Sequence, residues 1–471
     1  MKNTRLFMFA ACTLFLAACG RQTVKIMTPP DASNRVLFGA EQLQATLDKA
    51  GYQVMMQQGD TTFSDPEIKT ILLTEVNDTT LKKEGFHIST TGNLTRVSGR
   101  DGSGVIYGCR ELIDRVNDSD GRLNFPEELK DAPEMVLRGA CVGLQKMTYL
   151  PGHGVYEYPY TPESFPWFYD KEQWIKYLDM LVANRMNSLY LWNGHPFASL
   201  VKLEDYPFAL EVDEETFKKN EEMFSFLTEE ADKRGIFVIQ MFYNIILSKP
   251  FAEHYGLKTQ DRNRPITPLI ADYTRKSIAA FIEKYPNVGL LVCLGEAMCT
   301  VEDDVEWFTK TIIPGVKDGL QALGRTDEPP LLLRAHDTDC KLVMDAALPH
   351  YKNLYTMHKY NGESLTTYEP RGPWSKIHTD LSSLGSIHIS NVHILANLEP
   401  FRWGSPDFVQ KAVTAMHNVH GANALHLYPQ ASYWDWPYTA DKLPNNEREF
   451  QLDRDWIWYQ TWGRYAWNCH R

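Results

Sequence analysis

Glu296 and Glu399 each stand just beyond an apolar run, Val288 to Leu294 for the first and Val392 to Ala396 for the second. As the fourth and seventh strands of a (β/α)8 barrel, these runs would deliver both carboxylates to the strand ends, where that fold carries its chemistry. A carboxylate pair so placed is what cleavage of a glycosidic bond requires. One group protonates the departing oxygen, and the other activates water or attacks directly. The segment leading to Glu296, Leu290-Leu291-Val292-Cys293-Leu294-Gly295, contains no charged residue. Such a setting is expected to raise the carboxyl pKa by penalising the charged form, as a general acid at neutral pH needs. Glu399 follows Asn397 and precedes Pro400 and Trp403, whose ring suits the face of a sugar. Either carboxylate could instead be a strand-end group satisfied by a helix terminus or an arginine.

Other polar residues fall at the same ends of neighbouring runs. Asn193 follows Ser188–Trp192, Arg334 and His336 close the run Leu331–Ala335, and His358 and Lys359 follow Leu354–Met357. Arg334 and Lys359 would hold a substrate carboxylate, for which the arginine fork is well shaped, or simply neutralise the acids. His336 and His358 would donate hydrogen bonds to hydroxyls, as would Asn397 and Asn193. No third ligand accompanies the two histidines, so a metal is not expected, and no cofactor is required. Trp192, Trp403, Trp434 and Trp436 are candidates for aromatic walls or for core packing.

Eight apolar runs must position these groups: Met135–Leu144, Ser188–Trp192, Phe237–Phe242, Val288–Leu294, Leu331–Ala335, Leu354–Met357, Val392–Ala396 and Ala424–Tyr428. Continuous apolar strands alternating with helical patterns, such as Trp174–Asn184, Thr216–Lys233 and Asp303–Leu323, indicate a parallel sheet buried on both faces. Eight strands fit a closed barrel. Before them, residues 23–133 alternate short strands and helices, with helical spacing over Gly39–Ala50 and Val105–Val116. The glycine-rich link Gly99 to Gly104 lacks a dinucleotide-binding fingerprint and reads as structural punctuation. The expected fold is α/β, a (β/α)8 TIM barrel over 134–471 preceded by a small α+β domain over 23–133.

The 471 residues suit a barrel plus an accessory domain, and a formal net charge of -12 argues against nucleic acid, whose phosphates need a basic face. The first residues pair a short positive region, Lys2 and Arg5, with an apolar stretch too short to span a membrane. Leu16-Ala17-Ala18-Cys19 resembles a bacterial lipobox, which implies a signal peptide over 1–19 and lipidation at Cys19. The expected location is the cell envelope, lipid-anchored and facing the periplasm. The remaining cysteines are widely spaced and lack metal-ligand spacing, so no disulfide framework is expected.

Several short motifs resemble the α-glucuronidases that remove glucuronic acid from xylan. Leu332-Leu333-Arg334-Ala335 is similar to that family's arginine-bearing fifth strand. Met357-His358-Lys359-Tyr360-Asn361-Gly362, followed by Tyr368-Glu369-Pro370-Arg371, is similar to its lysine and Asn-Gly segment. Gly99 to Leu112 resembles the small domain that precedes the barrel in hexosaminidases and α-glucuronidases. Trp462-Gly463-Arg464-Tyr465-Ala466-Trp467-Asn468 resembles the entry to the family's helical C-terminal domain, although the chain stops at Arg471. The resemblance implies an exo-acting hydrolase with Glu296 as general acid and Glu399 on the base side, acting with inversion on an oligosaccharide or polysaccharide. Val292 replaces a family lysine, and the aspartate after Asn-Gly has only Glu363 nearby. Hexosaminidases instead need an Asp-Glu pair at strand four, where this chain has Gly295-Glu296. A hexosaminidase-like enzyme and a catalytically silent glycan-binding lipoprotein remain the alternatives.

Overall fold

The computed structural model describes residues 21–470, apart from 64, 145, 151–152, 158, 244–245, 297, 363–364, 366, 393–404, 428–437, 443 and 446. The expected architecture is present. A six-stranded sheet comes first, built from β1 (Thr23–Thr28), β2 (Gln53–Gln58), β3 (Lys69–Glu75), β4 (Phe86–Thr91), β5 (Leu94–Gly99) and β6 (Glu128–Asp131) in the order β2-β1-β3-β5-β4-β6. Helices Asn34–Lys49 and Gly102–Asp118 pack on each other, and both bury apolar residues in the core of this sheet. The glycine-rich link is punctuation, as expected: Asp101 Oδ1 caps the second helix by accepting from the Gly104 N–H (2.9 Å).

The barrel follows. Strand β7 (Leu137–Gly143) is followed by a hairpin of β8 (Lys146–Leu150) with β9 (His153–Glu157), which the sequence pattern did not reveal. Then come β10 (Ser188–Trp192), β11 (Phe237–Phe242), β12 (Val288–Val292), β13 (Leu331–Arg334), β14 (Leu354–Lys359), β15 (Ile387–Val392) and β16 (Ala424–Leu427). All eight barrel pairings are parallel, and β16 closes onto β7. Alternate side chains fill the interior, among them Tyr190, Ile239, Leu291, Leu332, Met357 and Ile389, while the outward set joins the larger core beneath the helices.

One strand begins earlier than expected. The seventh runs Ile387–Val392, and residues 393–396 of the predicted Val392–Ala396 lie outside the described residues. Its buried polar residues His388, Ser390 and Asn391 interrupt the apolar pattern that marked the other strands. The third predicted barrel helix is also divided, into Val301–Trp307, a π-helical turn at Phe308–Ile312, and Ile313–Ala322. None of the six described cysteines forms a disulfide.

Candidate active site

At the C-terminal mouth of the barrel the interior positions change from apolar to polar. Arg334, the last residue of β13, points inward two residues after Leu332, and Lys359 does so at the end of β14, two after Met357. Both are buried, with exposures of 3% and 6%. The Arg334 guanidinium lies 5.3 Å from the centroid of the Trp192 ring and within 3.5 Å of Cys293 Sγ. Trp192, itself buried and edge-on to Tyr243, therefore supports the cation from below, where an exposed sugar-facing wall was one expectation.

Glu296 meets this platform from the loop after β12. Its Oε2 accepts from Arg334 Nη1 (2.9 Å) and its Oε1 pairs with His336 Nε2 (3.1 Å), one partner on each oxygen. Burial alone pushes this carboxyl up, as the sequence led us to expect. The hydrogen bond from His336 and the charges of Arg334, His336 and Lys359 outweigh it and bring the pKa down to about 2. The raised pKa expected for Glu296 is thus corrected: in the ligand-free protein this carboxylate is ionised.

The backbone around Glu296 is tightly specified. A Cβ on Gly295 would run into the carbonyl oxygen of Asp337, so only glycine admits this approach of the loops after β12 and β13. Asp337 itself adopts φ 51°, a left-handed conformation that few side chains favour.

The remaining candidates are dispersed. Asn193 is buried with both ends of its amide committed to the backbone: Nδ2 donates to Leu144 O (2.6 Å) and Oδ1 accepts from the His195 N–H (2.8 Å). It shapes the loop after β10. His358 lies against the helix Pro373–Ser382, with its ring 5.5 Å from Trp374 and 5.6 Å from His378. Burial pulls its pKa down to about 4, so it is neutral. Glu399, Asn397 and Trp403 lie outside the described residues, as do Cys19, Trp434 and Trp436.

Two interior groups escaped the sequence reading. Asn391 on β15 and His426 on β16 approach to 3.0 Å, and His426 stacks on Tyr190 at 4.0 Å. Buried polar residues inside a strand were the only signal for them. Among the described residues, donors of metal-binding type gather at Glu134, Cys469 and His470, within 4.8 Å of one another. They sit beside the N-terminal end of β7, across the barrel from Glu296. Burial and the Glu134 carboxylate push the Cys469 thiol up.

Comparison with solved structures places this geometry beside a known enzyme. The chain is 75% identical to a GH138 enzyme targeting pectin rhamnogalacturonan II, over 95% of its own length, with a TM-score of 0.90. The chain is similar to a glycoside hydrolase. It spans 64% of that protein's length. Flavobacterium johnsoniae chitobiase (12% identity, TM-score 0.58, 95% of this chain and 66% of that one) shares the fold. So does the Streptomyces plicatus N-acetyl-β-hexosaminidase (12% identity, TM-score 0.54, 94% and 86%). The high-identity similarity is thus to a pectin-targeting enzyme and not to the xylan-debranching family whose motifs the sequence resembles. No protein-family model matches the sequence, and no curated protein does.

Proposed function

We propose that the protein is an exo-acting glycoside hydrolase that removes a uronic acid residue from a pectic side chain. The observation that carries this reading is Glu296 at the mouth of the barrel, with Arg334 and His336 on its two oxygens and the charge of Lys359 acting on it. That mouth suits an anionic sugar. A substrate carboxylate would compete for these cations and bring a like charge beside Glu296, and both effects raise the pKa of Glu296 toward that of a working acid. The 75% identity to an enzyme targeting rhamnogalacturonan II favours pectin over xylan as the polymer, with α-glucuronidase-like release of glucuronate as the narrower form of the same chemistry.

In this reading Glu296 protonates the departing oxygen, and Glu399 activates water or attacks directly. Glu363, after Asn361-Gly362, is the other acid near the sixth strand and competes with Glu399 for that role. Carboxyl separations of roughly 5–5.5 Å accompany retention and roughly 6.5–9.5 Å accompany inversion, so the product anomer identifies the mechanism. The lipobox-like segment ending in Cys19 supports a lipid-anchored, periplasm-facing enzyme, which globomycin-sensitive processing and acyl labelling would test.

The decisive assay incubates the protein with rhamnogalacturonan II oligosaccharides, glucuronoxylan and aryl uronides, following the released sugar by NMR. Release of a uronic acid from the pectic substrate is expected. Glu296→Gln should cut turnover by about 10²–10⁴-fold while leaving binding in place. Glu399→Gln and Glu363→Gln, made separately, identify the second carboxylate. Binding without release from any of these substrates by the unmodified protein would instead favour the silent glycan-binding reading.

A further inference from the structure

The loop that presents Glu296 is held at a single residue, through the peptide groups on either side of it. The Gly295 N–H donates to Thr338 Oγ1 (3.0 Å), and the Gly295 carbonyl accepts from Arg262 Nη2 (2.8 Å). Thr338 comes from the loop after β13 and Arg262 from the segment between β11 and β12. The same Thr338 hydroxyl that accepts from Gly295 donates to the carbonyl of His336 (3.0 Å). One hydroxyl therefore ties the residue before Glu296 to the backbone of the residue that pairs with Glu296 Oε1. The close approach of Gly295 to Asp337 and the left-handed turn at Asp337 keep the two loops at the distance this bridge spans.

We infer that Thr338 and Arg262 are positioning residues that set the Glu296 carboxyl between Arg334 and His336. The inference deepens the proposed hydrolase function and rests on it for its effect on turnover. Its geometric content is independent of that reading. Neither residue touches the Glu296 carboxylate. Thr338 fixes the spacing between the β12 and β13 loops, while Arg262 fixes the tilt of the peptide that leads into Glu296. Arg334 is already anchored by Trp192 and Cys293, so the partner whose position this bridge sets is His336, which is about one-third exposed. A side chain on a loop keeps a productive geometry only when neighbouring groups lock it.

Thr338→Val preserves shape and removes the bridge, Thr338→Ser restores the hydroxyl, and Arg262→Gln removes the second support. Two readouts apply to each variant: kcat and KM on a pectic uronide, and the pH titration of the Glu296 side-chain carboxyl carbon by NMR. Thr338→Val is expected to lower kcat by about 10–100-fold with KM little changed. It should also move the Glu296 titration up from about 2 toward the ordinary carboxylate range, because the His336 hydrogen bond is weakened. Thr338→Ser should recover both, and Arg262→Gln should reproduce the kcat loss in weaker form. A Thr338→Val protein with an unchanged Glu296 titration overturns the inference, as does a loss of kcat that serine does not rescue. Should the unmodified protein release no uronic acid, the hydrolase reading fails by itself. The titration of Glu296 still decides the bridge.

Discussion

A carboxylate with a donor on each oxygen is held in its charged form. Glu296 is in that position while the site is empty, and acid catalysis then requires that substrate binding weaken one of these pairs. Arg334 is buried and anchored, so His336 is the partner able to leave. Binding of galacturonate or glucuronate should therefore take up a proton at pH values above the free carboxyl's pKa, near 2, and below the raised pKa of the bound one. Calorimetry in buffers of different ionisation enthalpy measures this directly. Galactose and glucose, lacking the carboxylate, should show no uptake. Absence of uptake with the uronates would assign Glu296 the base or nucleophile role instead. Gly295 offers a second prediction at this scale. Gly295→Ala forces the β12 and β13 loops apart against the Asp337 carbonyl, and turnover should fall by about 100-fold or more while most of the fold's stability remains.

At the scale of elements, the seam between β14, β15 and the helix Pro373–Ser382 holds a chain of buried histidines. His378 Nε2–H donates to the Tyr360 carbonyl (3.0 Å), which leaves its Nδ1 to accept from His388 Nε2–H (2.9 Å). His388 Nδ1 lies 2.9 Å from the hydroxyl of Thr356, which donates to the Leu381 carbonyl (3.1 Å). Charging rings buried in this way is costly. Burial lowers His358 to about 4 and His378 to about 3, and puts His388 well below the ordinary range. The unfolded chain protonates these rings near pH 6.5 while the native protein does not. Stability is thus unaffected above about pH 6.5 and falls as the pH drops toward 4, by about 1.4 kcal/mol per pH unit for each ring. Urea unfolding at pH 7, 6 and 5 checks the slope, and His388→Gln should flatten it. This seam also explains what the sequence concealed. The strands rich in Leu, Val and Ile were legible because a parallel strand buried on both faces is apolar throughout. Strand β15 was not, since the buried polar residues His388, Ser390 and Asn391 interrupt that apolar pattern. Glu296, Arg334 and Lys359 could be named from their places at strand ends. The bridge through Thr338 could not, because it depends on backbone path and not on residue type. The backbone hydrogen bonds of Asn193 were hidden for the same reason.

On the scale of the whole molecule, the first sheet and the barrel are joined by a buried ion pair. Arg138 of β7, fully buried, reaches Glu84 with Nη2 (2.8 Å), Met135 O with Nη1 (2.7 Å) and Arg185 O with Nε (2.8 Å). Its guanidinium also faces the rings of Trp467 (5.2 Å) and Tyr107 (5.6 Å). Removing one partner of such a pair strands the other charge. Arg138→Met should therefore destabilise by about 3–5 kcal/mol and split one unfolding transition into two as the sheet uncouples from the barrel. Differential scanning calorimetry would detect the split, and a single unshifted transition would refute the role assigned to the pair.

Trp467 gives this junction a temporal side. Its ring lies in the core of the N-terminal sheet, 4.8 Å from Tyr107, and its Nε1–H donates to Asp131 (2.9 Å). The first portion of the chain to leave the ribosome therefore cannot complete its own core. It must wait until the helix ending at Trp467 has been synthesised and the intervening barrel has brought that helix back. The Trp467–Asp131 bond joins residues 336 positions apart, so the core of the first sheet closes only after the barrel segment between them has been made.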